Sequence, residues 1–286
     1  MESLKEESFS RRRSQTLNRL SRLPVFSQVA LKLLTIASDA ESAREDFEAA
    51  FRSDPSLAAD LLIVANSSEF GFRAEITSIP HALSLLGLER ARSLACTIAM
   101  SFYLRSSANA SVGTSWTHSM ASAALAEYVG GISSMPLPML YSAALLHDIG
   151  RLALQMTSQE EYGSLIGLRI AEIQETLAVE TDLFGMNHCE AGVAVSRTWG
   201  LPESLQRSIH MHHGNVALNQ DPYTSLVQTA CRLAEGLGYP ESPVVPGGAH
   251  LGLEEAIPSE FRKHAAFTPE RLGAVVDAHF VATQGF

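Results

Sequence analysis

The sequence predicts an all-α fold, and three observations support that prediction. Helix-capping residues recur along the chain, apolar residues repeat at helical spacing, and no run of alternating residues requires a β-sheet. Apolar residues make up 46% of the 286 residues, which is enough to form a buried core. We therefore expect one large helical domain or two small ones.

Helix start signals mark the N-terminal part of the chain. Ser42 and Glu45 are spaced as a capping box, and Asp54 is an N-cap residue followed by Pro55 at the first helical position. A long helix is predicted over residues 88–105. The later predicted helices span 115–130, 138–156, 159–181, 188–199, 202–213 and 224–237, and a last one starts at Thr268-Pro269.

Changes in composition divide the chain into segments. A polar stretch at 106–114 predicts a linker between two helical halves, 21–105 and 114–237. A stretch rich in glycine and proline comes next, and we expect residues 238–286 to form a loop and a C-terminal helical extension. Residues 1–20 are polar and charged, so we expect a flexible basic tail that folding does not require.

The charge distribution bears on the possible partners. The net charge is −10, but residues 1–22 hold six basic and three acidic groups, which leaves 15 basic and 28 acidic groups for the remainder. An acidic body repels a phosphate backbone, so we do not expect a nucleic-acid partner. No apolar run reaches the roughly 18–20 residues that span a bilayer, and the N-terminal segment lacks the apolar core of a secretory signal. We therefore expect a cytoplasmic protein with no membrane partner.

The three cysteines are Cys96, Cys189 and Cys231, and they are widely spaced. Their odd number and the lack of a CxxC pair argue against a disulfide framework and against a cysteine-rich zinc module. We expect reduced thiols, most of them in the core.

Histidines in the second half follow one another in an order that suggests a metal site. They are His118, His147 with its neighbour Asp148, His188, and the pair His212-His213. Imidazole and carboxylate ligands together suit iron, manganese, zinc or nickel. Two such ions roughly 3.5–4 Å apart would activate water against a phosphodiester. Taken singly, each histidine is open to a simpler interpretation as a surface or capping residue.

The predicted helices also suggest how these side chains point. His147 and Asp148 would lie within one apolar helix with their side chains about 100° apart, and they can still converge on one site when the carboxylate bridges two ions and the imidazole binds one of them. On the predicted helix that ends at His213, the apolar stripe puts His213 on the core-facing side and His212 at its edge. Glu180 has two interpretations: a solvated helix residue, which we favour, or a carboxylate that orients a metal-binding histidine.

Short motifs in a fixed order along the chain resemble those of a known family. They include Leu23-Pro24, Ser53-Asp54-Pro55-Ser56-Leu57, Ala65-Asn66-Ser67, Leu86-Gly87, Trp116-Thr117-His118-Ser119, Leu146-His147-Asp148-Ile149-Gly150, His188-Cys189-Glu190-Ala191-Gly192, Trp199-Gly200-Leu201-Pro202 and His212-His213. Together they resemble the HDOD domain, and the resemblance covers roughly residues 20–237.

The resemblance implies an all-helical unit of bacterial signalling and regulatory proteins. HDOD domains are similar to HD and HD-GYP phosphodiesterases, but they typically lack a complete metal set and are thought to act through protein or ligand contacts. By resemblance to the HD-GYP enzymes, six residues fall on metal-ligand positions: His118, His147, Asp148, His188, His212 and His213.

Two departures from the HD-GYP pattern bear on activity. The last ligand of those enzymes is an aspartate, and the matching position here is Cys231. This cysteine has two interpretations: a small buried residue, which we favour, or a thiolate ligand. The Gly-Tyr-Pro segment after the paired histidines is also missing.

These observations leave three functional hypotheses, of which we favour the first. It is a regulatory module that binds a signalling protein or a small signalling ligand, with a vestigial site for one or two divalent ions and no turnover. The alternative is a metal-dependent phosphohydrolase that acts on a nucleotide or cyclic dinucleotide, with Asp148 in its active site. The third, a nucleic-acid-binding regulator that uses the basic tail, is weakened by the acidic body.

Overall fold

The computed structural model describes residues 2–24, 26–39, 41–72, 75–106, 113–133, 137–168, 170, 173–214, 221–241, 252–257 and 264–283. Within these ranges every regular element is a helix and no strand is present, so the all-α prediction is confirmed. None of the described helices combines the length and the apolar character that crossing a membrane requires. Most of the predicted linker, residues 107–112, lies outside the described ranges.

The helices follow one another along the chain with short connections. The first six are α1 (Glu2–Leu20), α2 (Gln28–Ala37), α3 (Arg44–Arg52), α4 (Pro55–Ala65), α5 (Ile79–Leu86) and α6 (Leu88–Ser106). The next eight are α7 (Gly113–Ile132), α8 (Leu137–Leu146), α9 (Ile149–Thr157), α10 (Gln159–Gly167), α11 (Ile173–Phe184), α12 (His188–Thr198), α13 (Glu203–Met211) and α14 (Pro222–Gly236). The last two are α15 (Leu253–Ala256) and α16 (Pro269–Ala282).

The predicted helix starts of the N-terminal half are present with one shift. Asp54 caps α4 through its side chain, as expected. The capping box predicted at Ser42 is not formed: the N-cap is Ala43, whose side chain cannot accept, and the Asp46 carboxylate accepts a hydrogen bond from the backbone N–H of Ala43 at 2.8 Å. Ser42 is not the cap, and its hydroxyl lies 3.3 Å from the carboxylate of Asp39.

The two predicted halves share one hydrophobic core. The ring of Phe26, from the connection before α2, stacks on Tyr103 of α6 at 4.4 Å. Trp199, which follows α12, packs edge-on against both rings, at 4.5 Å from Phe26 and 5.0 Å from Tyr103. The buried apolar residues of both halves belong to a single cluster. The packing shows no boundary between the two halves, so the division into halves stays a prediction.

The basic N-terminal segment, which we expected to be a flexible tail, forms helix α1. Arg13 donates to the carbonyl oxygen of Gly185 at 3.0 Å and to the carboxylate of Glu190 at 3.1 Å. Arg19 donates to Ser158 and Glu161, both at 2.9 Å. The sequence analysis treated these arginines as solvated charges, whereas acidic and carbonyl groups far along the chain accept their hydrogen bonds.

Two long predicted helices are broken in the structure. The helix predicted over 138–156 is two helices, α8 and α9, separated by a turn at His147 and Asp148. The helix predicted over 159–181 is likewise divided into α10 and α11. Asp148 precedes α9 with φ −99° and ψ 17°, outside the helical region. The chain therefore changes direction at the two expected ligands.

Helices α9 and α12 approach each other closely at glycine positions. A Cβ atom placed on Gly150 would lie 1.9 Å from the carbonyl oxygen of His188 and 2.3 Å from the backbone nitrogen of Gly192. Only glycine permits this approach. It brings the first turn of α9 directly against the first turn of α12, where His188 lies.

The segment after α14 packs against the second half. Helix α16 packs along α7, and the side chain of Thr268 caps α16 by accepting from the N–H of Arg271 at 3.3 Å. This start agrees with the sequence prediction. Residues 239–241 return to the bundle, where Ser115 of α7 donates to the carbonyl oxygen of Glu241 at 3.1 Å. Residues 242–251 and 258–263 lie outside the described part of the chain.

The contacts of α1 predict that this helix contributes to stability. Replacing Arg13 and Arg19 together by alanine removes both ion pairs. We expect the thermal midpoint to fall by roughly 2–5 °C, because about 1 kcal/mol shifts the midpoint of a chain of this size by about 2–4 °C. Thermal melting followed by circular dichroism measures the change, with exposed Arg11→Ala on the same helix as the control. Equal midpoints for the double variant and the control would show that these two ion pairs do not stabilise the fold.

Candidate metal centre

The turn between α8 and α9 places two of the predicted ligands deep in the second half. His147 and Asp148 are fully buried. The Nδ1 atom of His147 lies 2.5 Å from the carbonyl oxygen of Ala144, and because a carbonyl only accepts, Nδ1 carries the proton. Its Nε2 lone pair is left free and has no hydrogen-bond partner among the described residues.

His188 is the first residue of α12, and a buried carboxylate orients its ring. Its Nδ1 donates to Oε2 of Glu180 at 2.7 Å, and its backbone N–H donates to the same oxygen at 2.8 Å. The Nε2 atom of His188 lies 3.5 Å from Oδ1 of Asp148. Glu180 is fully buried, so of the two interpretations the structure supports the less favoured one, a carboxylate that orients a histidine.

His212 and His213 follow the last residue of α13. The helix ends at Met211, so the helical offsets that we applied to this pair do not hold and the predicted orientation is wrong. His212 is the deeper residue, with 3% exposure, and the side chain of His213 lies at the rim with 11%. His212 bonds through Nδ1 to the carbonyl oxygen of Ile209 at 2.7 Å, and its Nε2 lies 3.5 Å from Oδ1 of Asp148.

His118 approaches the same region from α7. Its Nδ1 donates to the carbonyl oxygen of Tyr239 at 2.7 Å, and its Nε2 lies 3.4 Å from the hydroxyl of Ser122. The rings of His118 and His147 lie 5.2 Å apart. Cys231 of α14 lies beside them.

The structure therefore brings all six predicted ligands together, in two neighbouring groups that include Cys231. The ligand atoms of each group lie within 4.8 Å of one another. The rings of His147 and His212, one from each group, are 5.0 Å apart. We call Asp148, His188, His212 and His213 the aspartate group, and His118, His147 and Cys231 the cysteine group.

The spacing within the aspartate group fits a metal ion. A tetrahedral ion with bonds of about 2.1 Å holds its ligand atoms about 3.4 Å apart. Oδ1 of Asp148 lies 3.5 Å from Nε2 of both His188 and His212. Among the described residues, Asp148 Oδ1, His212 Nε2 and His213 Nε2 have no hydrogen-bond partner, which is costly for buried atoms unless something binds them. Nitrogen and oxygen donors of this kind suit iron, manganese, zinc or nickel.

A buried arginine borders the aspartate group. Arg151, in the first turn of α9, donates from Nε to Oδ2 of Asp148 at 2.9 Å and from a terminal nitrogen to Glu241 at 2.8 Å. Its other terminal nitrogen donates to the hydroxyl of Tyr162 at 3.2 Å. The guanidinium also lies 3.3 Å from Nε2 of His188. One oxygen of Asp148 therefore faces the histidines, and the other is bonded to Arg151.

Comparison with known proteins places this fold and site in a family. The HDOD domain family matches residues 23–215, well over half of the chain. The chain belongs to the HDOD domain family. An uncharacterised protein of Treponema pallidum (strain Nichols) is 22% identical over 216 residues, which cover 74% of this HDOD protein and 41% of that one. The chain thus spans about two fifths of that relative's length.

Solved structures share the architecture of this HDOD protein. An HDOD domain protein of unknown function from Geobacter sulfurreducens has a TM-score of 0.73 at 23% identity, covering 96% of this chain and 99% of that one. A candidate signal transduction protein from Marinobacter aquaeolei VT8 has a TM-score of 0.72 at 19% identity, covering 96% and 66%. A candidate phosphohydrolase from Shewanella amazonensis SB2B has a TM-score of 0.64 at 16% identity, covering 94% and 92%. At these identities the likeness shows the fold alone.

Burial and charge determine which groups of this HDOD domain carry protons. Burial raises the pKa of Asp148, but Arg151 and the nearby histidines have the larger, opposite effect, so the pKa of this carboxyl lies well below its usual range. Burial and Arg151 lower the pKa of His188, but the Glu180 carboxylate helps to raise it to about 9. Burial holds the pKa of His147 well below its usual range. An ion that binds at Nε2 of His188 must displace any proton held there.

Reasoning from the sequence missed Arg151, Glu241 and Glu235. Arg151 lies three residues after Asp148, and this helical spacing was a signal for their ion pair. Glu241 lies at the edge of the Gly/Pro-rich stretch, where no periodicity relates it to the histidines. Burial and the nearby Glu241 charge raise the pKa of Glu235 to about 8, so this carboxyl is protonated at neutral pH.

The role of Glu180 generates a prediction. Glu180→Gln places an NH₂ donor against either the His188 donors or the hydroxyl of Tyr162, which donates to the other Glu180 oxygen at 2.8 Å. Zinc affinity should fall by about 10–100-fold, because His188 loses the acceptor that orients it. Competition with a chelating dye measures the affinity, and exposed Glu175→Gln on α11 is the matched control. If both variants bind zinc as tightly as the native protein, Glu180 does not orient a ligand.

Proposed function

We propose that this HDOD domain is a regulatory module that works by binding a signalling protein or a small signalling ligand. In this proposal its second half holds a transition-metal ion that does not support turnover. The fold and the family agree with such a role but do not specify it. The chemistry of the centre disfavours turnover.

A single observation carries the proposal, namely the commitment of one Asp148 oxygen to Arg151. A two-metal hydrolase holds two ions roughly 3.5–4 Å apart, and Asp148 is the carboxylate here that could bridge them. Its Oδ1 faces the aspartate group, but its Oδ2 accepts from Arg151 at 2.9 Å. While that bond is intact, Oδ2 is a weaker ligand for a second ion, because one of its lone pairs is used and a positive charge lies beside it.

The cysteine group strengthens the same conclusion. It contains two imidazoles and a thiol, and none of its three residues supplies a carboxylate. Burial holds the pKa of Cys231 well above its usual range. The three residues of the cysteine group therefore provide no hard oxygen ligand for manganese or iron.

A metal-dependent phosphohydrolase acting on a nucleotide or cyclic dinucleotide is the second candidate. The observation in its favour is that all six ligand-type residues converge, with several ligand atoms unpartnered within the described residues. The similar structures do not separate the two candidate functions, because one is a candidate signal transduction protein and another is a candidate phosphohydrolase.

Hydrolysis assays separate the two candidates. The native protein, loaded separately with Mn²⁺, Fe²⁺, Zn²⁺ and Ni²⁺, is tested on bis(p-nitrophenyl) phosphate and on a cyclic dinucleotide. We expect no rate above that of Asp148→Ala with any metal, because one ion without a bridging carboxylate does not assemble a two-metal centre. A native rate more than about tenfold above the variant, which is a difference of about 1.4 kcal/mol in activation free energy, would establish the phosphohydrolase instead.

A further inference from the structure

The Arg151 guanidinium lies beside the candidate metal centre and is almost fully buried. It forms ion pairs with Asp148 at 2.9 Å and Glu241 at 2.8 Å, and it lies 3.9 Å from Glu180. A buried arginine of this kind remains charged. The centre therefore contains a fixed positive charge before any ion binds.

We infer that Arg151 is the built-in second cation of this centre, so that the chain binds one divalent ion, in the aspartate group, and none in the cysteine group. The inference deepens the proposed function and rests on the part of it that places a metal ion here. It assigns the number of ions, their position and the residue that excludes a second one.

The fixed charge of Arg151 supports a single ion. Its guanidinium already pairs with the carboxylates of Asp148 and Glu241 and lies 3.9 Å from Glu180, so less negative charge is left to hold a second ion. Uncompensated charge in a buried site is strongly unfavourable.

Ligand geometry supports the aspartate group as the occupied position. There the unpartnered Oδ1 of Asp148 lies 3.5 Å from two imidazole nitrogens. The cysteine group has no carboxylate of its own, and the second oxygen of Asp148, Oδ2, already accepts from Arg151. Removing the guanidinium would release this oxygen and lower the positive charge at the same time.

The first test measures zinc stoichiometry and its dependence on each group. Protein purified without nickel affinity, stripped with a chelator and reloaded with Zn²⁺, should contain one ion per chain by elemental analysis. His212→Ala should weaken binding by at least about 100-fold, whereas Cys231→Ala should change it by less than about threefold. Two ions per chain, or a loss with Cys231→Ala equal to that with His212→Ala, would overturn the inference.

The second test removes the charge of Arg151. Folded Arg151→Met, checked by circular dichroism, should bind two zinc ions, and adding Cys231→Ala should restore one. Arg151→Lys keeps the charge and should bind one ion. One ion in folded Arg151→Met would show that Arg151 does not exclude the second. If Arg151→Met does not fold, the native stoichiometry and the comparison of His212 with Cys231 decide the matter.

The outcomes also separate this inference from the proposed function. Turnover by the native protein with one zinc ion bound would contradict the proposed function and leave the inference intact. Two bound ions without turnover would contradict the inference and leave the regulatory role intact. No bound zinc in the native protein would contradict both.

Discussion

The ion pair between Arg151 and Asp148 is the interaction on which the arrangement of the centre depends. Both side chains are almost fully buried, and removing one partner of such a pair typically costs about 3–5 kcal/mol. The pair forms because the chain turns at Asp148 and enters α9, which places Arg151 three residues later on the same side. Gly150, between them, allows α9 to pack against α12. The orientation of the carboxylate is thus built into the backbone.

The histidines are held in a complementary way by partners from different segments. The Nδ1 atoms of three histidines bond to backbone carbonyl oxygens: His118 to Tyr239, His147 to Ala144 and His212 to Ile209. The Nδ1 atom of His188 bonds to the carboxylate of Glu180. Each bond fixes a ring and leaves its Nε2 directed to the centre. An ion in the aspartate group would therefore join the start of α9, the start of α12 and the end of α13, so metal binding is coupled to the packing of the second half.

The fold class and the set of converging residues could be predicted from the sequence, since helix caps and the order of the histidines are local signals. Asp54 and Thr268 cap the helices that their side chains predict. Helix breaks were harder to predict. The apolar run through His147 predicts one helix, because its residues favour helix on both sides of the turn. The close contact at Gly150 that accompanies the break is a tertiary contact, which local sequence does not show.

The polar partners that determine the chemistry were also beyond local reasoning. Glu180 and His188 are eight residues apart, and Arg151 and Glu241 are separated by 90 residues, so no periodicity connects either pair. The partners of the basic residues of α1 were equally hard to predict, because Arg13 pairs with Glu190, far along the chain. In each case the sequence shows a charged residue, but only the fold shows whether water or a buried partner surrounds it.

A crystal structure of the zinc-loaded protein with anomalous diffraction data tests the central claim most directly. We predict one anomalous peak in the aspartate group, about 2.1 Å from Oδ1 of Asp148 and from Nε2 of His212, with Arg151 still bonded to Oδ2. Two peaks roughly 3.5–4 Å apart, bridged by Asp148 and with Arg151 displaced from the carboxylate, would contradict it.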